Sequence, residues 1–278
     1  MSWFELDLII FGGSIIAGLL GSLTGLGGGV VIIPMLSLGL GIDIRYAIGA
    51  SLVSVIATSS GAAAAYVKEG FSNIRIGMFL EVATTVGAIL GAGLAGLLPT
   101  DSIAVIFGCV LLYSTWLTVH PPSQPSPISK PDYMAGRLRL DGTYPEDGRQ
   151  TSYRVQHVQK GFAVMSVAGA LSGLLGIGSG AVKVLAMDSV MRIPFKVSTT
   201  TSNFMIGVTA AASAGIYLHR GYIDPGLTFP VMIGVLSGAW LGTKVLVRAK
   251  TKSLRWLFAA IILVLGIEMI YKGLTGGL

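Results

Sequence analysis

The residues best suited to chemistry in this chain are two dense glycine clusters in apolar surroundings, Thr24-Gly25-Leu26-Gly27-Gly28-Gly29 and Gly176-Ile177-Gly178-Ser179-Gly180. A glycine inside a helix costs about 0.8 to 1 kcal/mol relative to alanine, so runs this dense are expected to open the helix and free backbone amides. Free amides followed by a helix N-terminus attract an anion. Close helix packing is the alternative use of such glycines. It is the better reading of Gly87 and Gly91, and of Gly234, Gly238 and Gly242, which recur at four-residue spacing. The string Gly176-x-Gly178-x-x-Ala181 imitates a dinucleotide fingerprint, but that motif needs a strand before it and a parallel sheet around it.

Polar side chains gather near the clusters. Thr199, Thr200, Thr201, Ser202 and Asn203 follow the second one, and Ser51 stands at the matching place after the first. These hydroxyls and the amide either complete an oxyanion site or cap a helix start, a place that Ser and Thr favour. Lys183 lies just past the second cluster. A charge at membrane depth costs about 2.5 to 3.5 kcal/mol on insertion scales and turns to a partner or a cavity, unless its long stem carries it to the surface. Glu81 and Glu268 are the remaining carboxylates in apolar stretches. Either could carry a coupling proton, and both are near enough to a helix end for an interfacial position. His219 lies near a loop and is expected to be exposed. No HExxH, paired Cys/His set, GxSxG or P-loop occurs, so neither catalysis nor a metal or cofactor is expected.

The elements that position these residues belong to a lipid environment. Of 278 residues, 53% are hydrophobic and only 12% charged, and the mean hydropathy is +0.77, whereas soluble domains carry about 25% charged residues. A net charge of +6 on a soluble protein points to nucleic acid. Here it reflects the Lys and Arg that cytoplasmic loops of membrane proteins collect, and no nucleic-acid partner is expected. The single cysteine, Cys109, excludes an intramolecular disulfide. The first apolar run follows Glu5 and Asp7 rather than a basic segment and continues to about residue 40, so it reads as a retained membrane segment and not a signal peptide.

Apolar stretches of spanning length cover residues 8–40, 46–67, 76–98, 102–119, 161–187, 197–218, 226–247 and 255–271. Between the fourth and fifth lies a polar, proline-led segment, 120–160, read as a linker or small surface element. The flanking halves are copies. A shift of 151 positions sets Phe11 on Phe162, Gly18 on Gly169, Gly29 on Gly180, Ser51 on Ser202, Gly87 on Gly238 and Phe107 on Phe258 without a gap.

Charge then predicts orientation. If the first stretch of each unit enters the membrane, breaks at its glycines and returns, the units become inverted. Lys68, Arg75, the linker cations, Arg192, Lys196 and the loop with Arg248, Lys250, Lys252 and Arg255 all fall on one side. Arg45, Arg220 and Lys272 fall on the other. The positive-inside rule favours this arrangement, with the linker cytoplasmic and both termini outside. Paired glycine-broken segments in inverted halves are the usual pointer to a transporter's binding site.

The glycine-rich broken segment, its repeat after the linker, and the pairs Ala50-Ser51 and Thr201-Ser202 resemble the sulfite exporter TauE/SafE family, from about Leu8 to Tyr271. The resemblance implies transport of sulfite, sulfonates or related anions across the bacterial cytoplasmic membrane, with substrate and direction differing between members. Ser179 and Leu185 stand where the first unit has Gly28 and Pro34, so the two halves of the site are not expected to be equivalent.

The sequence thus predicts an all-α integral membrane protein of two inverted repeats, 1–119 and 161–278, each a glycine-broken hairpin plus three transmembrane helices, joined by the linker. The expected function is secondary transport of a small sulfur-containing anion, with a channel or a non-transporting accessory protein as alternatives. The expected binding residues are Gly25, Gly27, Gly28, Gly29, Ser51, Gly176, Gly178, Ser179, Gly180, Lys183, Thr201, Ser202 and Asn203. The partners expected are the anion, the bilayer and a coupling proton or ion.

Overall fold

The computed structural model describes residues 3–24, 28–68, 72–119, 132–146, 149–246 and 251–276. Helix α1 (Trp3–Thr24) ends before the first glycine cluster, and α2 (Gly29–Pro34) continues through a π-helical stretch, Met35–Gly39. Gly28 lies against the carbonyl of Ala17 and Gly13 against Met35, so α2 turns back along α1. Three long helices follow: α3 (Ile44–Lys68), α4 (Ile74–Ala95) and α5 (Thr100–Val119). Beyond the linker the series repeats as α7 (Val158–Leu175), α8 (Gly180–Leu185), a π-helical stretch Ala186–Val190, α9 (Phe195–His219), α10 (Pro225–Leu246) and α11 (Thr251–Thr275). The bounds of α2, the first π-helical stretch, α3 and α4 recur 151 residues later in α8, the second stretch, α9 and α10.

Local causes repeat as well. The Asn73 carboxamide accepts from the amide of Ile76 at 3.1 Å and caps α4, while Asp224, its counterpart, accepts from Leu227 at 2.9 Å at the start of α10. A Cβ on Gly87 would strike the carbonyl of Ser166, and one on Gly238 the carbonyl of Ile15. Gly18 and Gly169 press in the same way on Val235 and Thr84. In each case the contacts are equivalent under the 151-residue shift, so the packing reading holds for Gly87 and Gly238, and Gly18 and Gly169 pack in the same way.

The contacts also give chain directions. Gly234 meets Phe11 and Ser14 while Gly238 meets Ile15 and Leu19, so α10 runs parallel to α1. Gly87 and Gly91 meet Ser166 and Ala170, so α4 runs parallel to α7. By contrast α3 and α9 are antiparallel: Gly49, near the start of α3, touches Tyr222 just beyond α9, and Gly207 at mid-helix touches Ser59. Helices α5 and α11 are antiparallel too, with Gly108 on Ile270 and Gly273 on Asp101.

Small residues fill the helix contacts and large apolar ones face outward. Met78, Val82, Val86, Leu90 and Leu94 are exposed along α4, as are Phe229, Ile233, Leu236 and Trp240 along α10. Water would penalise such a surface, whereas lipid accepts it and leaves close backbone approach to hold the bundle. Among the described residues, Ile74–Ala95 and Val158–Leu175 are long and apolar enough to cross a membrane.

The linker departs from the all-helical pattern. Its described part holds a short helix, α6 (Tyr133–Arg137), and an antiparallel hairpin of β1 (Gly142–Glu146) and β2 (Arg149–Tyr153). Leu140, Tyr153 and Val155 join Ile76, Met165 and Met187 in an apolar cluster, so the linker is packed onto one end of the bundle. The Asn73 Nδ2 donates to the Tyr153 hydroxyl at 2.7 Å and to the Leu140 carbonyl at 3.1 Å. Burial pushes the Tyr153 phenol up to about 12, against the hydrogen bond from Asn73, and Asp141 raises it further. Asp132 accepts from Met134 at 2.8 Å with one oxygen and from Val158 at 3.2 Å with the other, tying α6 to the first turn of α7. Burial works against its ionisation, but the amides of Val158, Met134 and Ala135 and the charge on His157 hold the carboxyl below its ordinary range.

Candidate functional site

Helix α7 stops at Gly176, whose φ of +66° and amide bond to the Ser172 carbonyl at 2.8 Å make a left-handed cap. Gly178 at φ +69° and Ser179 at φ +44° continue the break before α8 begins. Glycine adopts this region freely; Ser179 does so at a steric cost. Residues 172–180 are all buried, which keeps their irregular backbone away from lipid.

The two breaks meet. The Ser51 hydroxyl of α3 donates to the Gly176 carbonyl at 2.8 Å. Gly29, the first residue of α2, fits against both: a Cβ there would lie 3.0 Å from the Gly176 carbonyl and strike the Ser51 oxygen. Gly178 packs on Ile206 and Val55, and the Ser202 hydroxyl of α9 donates to the Gly180 carbonyl at 3.4 Å. On either flank of the second break, the hydroxyls of Ser172 and Ser179 are buried and have no hydrogen-bond partner.

One turn beyond the break, Lys183 is 0% exposed. Its ammonium donates to the Thr209 hydroxyl of α9 at 2.6 Å, and that hydroxyl donates to Glu81 Oε1 of α4 at 2.7 Å. Thr85 also donates to Oε1, at 3.1 Å, while Oε2 has no partner. A side chain in a helix leans toward the N-terminus, which turns the Lys183 stem back toward the break.

Of the residues expected to bind, the structure gathers Gly29, Ser51, Gly176, Gly178, Ser179, Gly180 and Ser202 around the meeting point, whereas Gly28 faces Val235 and Ala17 and the Lys183 ammonium is turned to Thr209. Gly25 and Gly27 lie outside the described residues. Thr201 points elsewhere: its hydroxyl accepts from the Asn73 amide at 3.1 Å, at the linker end. Asn203 is half-buried on α9. Glu81 is interior and 8% exposed, whereas Glu268 is on the outer surface, as is His219. Sequence reasoning missed Thr209 and its link to Glu81. The signal was available in the cost of a buried ammonium, which calls for a carboxylate within reach. Among the described residues, no group of three or more His, Cys, Asp or Glu side chains is placed to hold a metal ion.

A helical bundle with a lipid-suited exterior and two helix breaks packed together inside it belongs to the class of polytopic membrane transporters. Comparison with known proteins makes the assignment specific. The profile described as Sulfite exporter TauE/SafE matches residues 10–269, and the chain belongs to this family. It is 29% identical over 275 residues to "Probable membrane transporter protein YunE" of Bacillus subtilis, covering 96% of this chain and 97% of that one. It is 26% identical over 238 residues to YdhB of the same organism, at 85% and 87% coverage. A "Probable membrane transporter protein" of Xylella fastidiosa is 26% identical over 274 residues, at 96% coverage of each chain. No solved structure matches the chain.

Proposed function

We propose that the chain is a secondary transporter that moves a small sulfur-containing anion, such as sulfite or a sulfonate, across the cytoplasmic membrane by alternating access. One observation carries the reading: a fully buried ammonium, Lys183, lies one turn from a helix break flanked by the unpartnered hydroxyls of Ser172 and Ser179. A cation, hydroxyl donors and loosened backbone amides in a water-poor interior suit an oxyanion, because charge-assisted hydrogen bonds are the strong ones. Family membership supports the same substrate class.

In this reading the units are inverted across the bilayer, with the linker cytoplasmic and both termini outside. The antiparallel pairing of α3 with its counterpart α9, and of α5 with α11, supports a two-fold axis lying in the membrane plane. The cations at the linker end support the orientation. Glycine-to-backbone contacts fasten α1 to α10 and α7 to α4. The bodies that rock are therefore these exchanged pairs with their hairpins, rather than the two halves of the sequence.

Uptake into proteoliposomes tests the proposal. Labelled sulfite or a sulfonate is expected to enter with saturation and to exchange with unlabelled anion. Flux that never saturates would indicate a channel. Failure of sulfite, sulfonates and carboxylates alike to move, with co-purification of a partner protein, would indicate an accessory role and end the transport reading.

A further inference from the structure

Resting on the transport reading, we propose that Glu81 is the proton-binding group of the cycle, taking up one proton for each anion that binds at Lys183. Lys183 and Glu81 are 0% and 8% exposed and are separated by a single hydroxyl, that of Thr209, so the two together are neutral; Asp188, 3% exposed, is the other buried charged side chain among the described residues and lies in the field of Arg192. A monoanion arriving at the ammonium would leave the site with a net negative charge and the carboxylate without its cation. Uncompensated charge in such an interior is strongly disfavoured. Protonation of Glu81 restores neutrality, since the carboxylate plus a proton becomes a neutral acid while the ammonium pairs with the incoming anion. Oε2, which accepts from no donor in the structure, is the oxygen free to take the proton.

Among the described residues, nothing else facing Glu81 competes for this role. From α8 the charged neighbour is Lys183. From α9 it meets the hydroxyl of Thr209, with Lys196 and His219 exposed near the two ends of that helix. Helix α7 lies on α4 through Ser166, Gly169 and Ala170, and its Lys160 is exposed at the linker end. Asp188 belongs to the π-helical stretch against α7 and α9, and the charge it feels is that of Arg192. The linker sets Arg139, Asp141 and Tyr153 beside Arg75 in the first turn of α4.

The duplication supplies an internal control. Under the 151-residue shift Thr209 matches Thr58, but Lys183 matches Ile32 and Glu81 matches Met232. Ile32 is 0% exposed at the equivalent place, so the scaffold packs there without a charge. A hydroxyl-bridged pair of charges present in one copy and absent from the other is not a requirement of the fold, and buried charges without a structural need point to function.

Calorimetric titration of the purified full chain tests this. The probe is 2-hydroxyethanesulfonate, a strong-acid anion that carries no proton of its own. Binding heats measured in two buffers of different ionisation enthalpy report the protons taken up. The wild type is expected to take up about one proton per anion. Glu81→Asp should retain this uptake and Glu81→Gln should lose it. Binding by the wild type with no proton uptake, or undiminished uptake in Glu81→Gln, would overturn the proposal while leaving transport standing. Absence of binding by the wild type to this probe and to sulfite would sink the transport reading and this one with it. The wild-type measurement decides even if a variant proves unstable.

Discussion

The hydroxyl of Ser51 donates to the carbonyl of Gly176 at 2.8 Å, so a helix of the first unit satisfies the broken backbone of the second. This bond joins residues 125 positions apart and holds the two glycine clusters in register. Ser51→Ala would leave a buried carbonyl without its donor, at about 1 to 3 kcal/mol. A lowered unfolding midpoint in detergent is expected, together with weaker anion binding. An unchanged midpoint would show that the carbonyl has a second partner.

The glycines between paired helices are sites where a methyl group has no room. Gly87→Ala and Gly238→Ala should each force α4 from α7 or α1 from α10, costing about 1 to 3 kcal/mol. The two losses should be similar, because their contacts are equivalent. Gly93, with nothing within 4 Å of a built Cβ, is the control, and Gly93→Ala should lose no stability. Thermal unfolding of the three variants side by side checks this.

Lys183→Met removes the cation and leaves the Glu81 carboxylate buried, which should cost about 3 to 5 kcal/mol. Combining it with Glu81→Gln should recover much of that stability. Anion binding should stay lost in the double variant, since the ammonium is gone. Recovery of binding would remove Lys183 from the site.

Asp132 provides a pH dependence at the linker. Its folded carboxyl is held below the ordinary value, so its contribution is complete above the unfolded value and disappears as pH falls through and below that range. Pepsin cleavage of the linker should therefore rise as pH is lowered below about 4. In Asp132→Asn the linker should be more readily cleaved by trypsin at neutral pH. Equal cleavage of variant and wild type would mean that α6 is held by its apolar contacts alone.

How much was legible in the sequence differs from residue to residue, for physical reasons. The break at the second glycine cluster was legible because left-handed backbone at Gly176 and Gly178 follows from local composition. Packing by Gly87 and Gly238 was legible because small residues at four-residue spacing leave one helix face bare. The role of Thr201 was not, because its hydroxyl direction depends on where the linker brings the amide of Asn73. The fold of the linker was also hidden, since a β-hairpin of polar residues gains its stability from the apolar cap it forms on the bundle.

The sequence alone determined the solvent, the duplication and the places where the helices open, because hydropathy, repetition and glycine content act along the chain. Only the tertiary structure decided that Lys183 would face Glu81 through Thr209, joining three helices whose residues are as far as 128 positions apart. That meeting depends on how the helices are rotated and how closely they approach. Both are set by backbone contacts at glycines, which hydropathy does not encode.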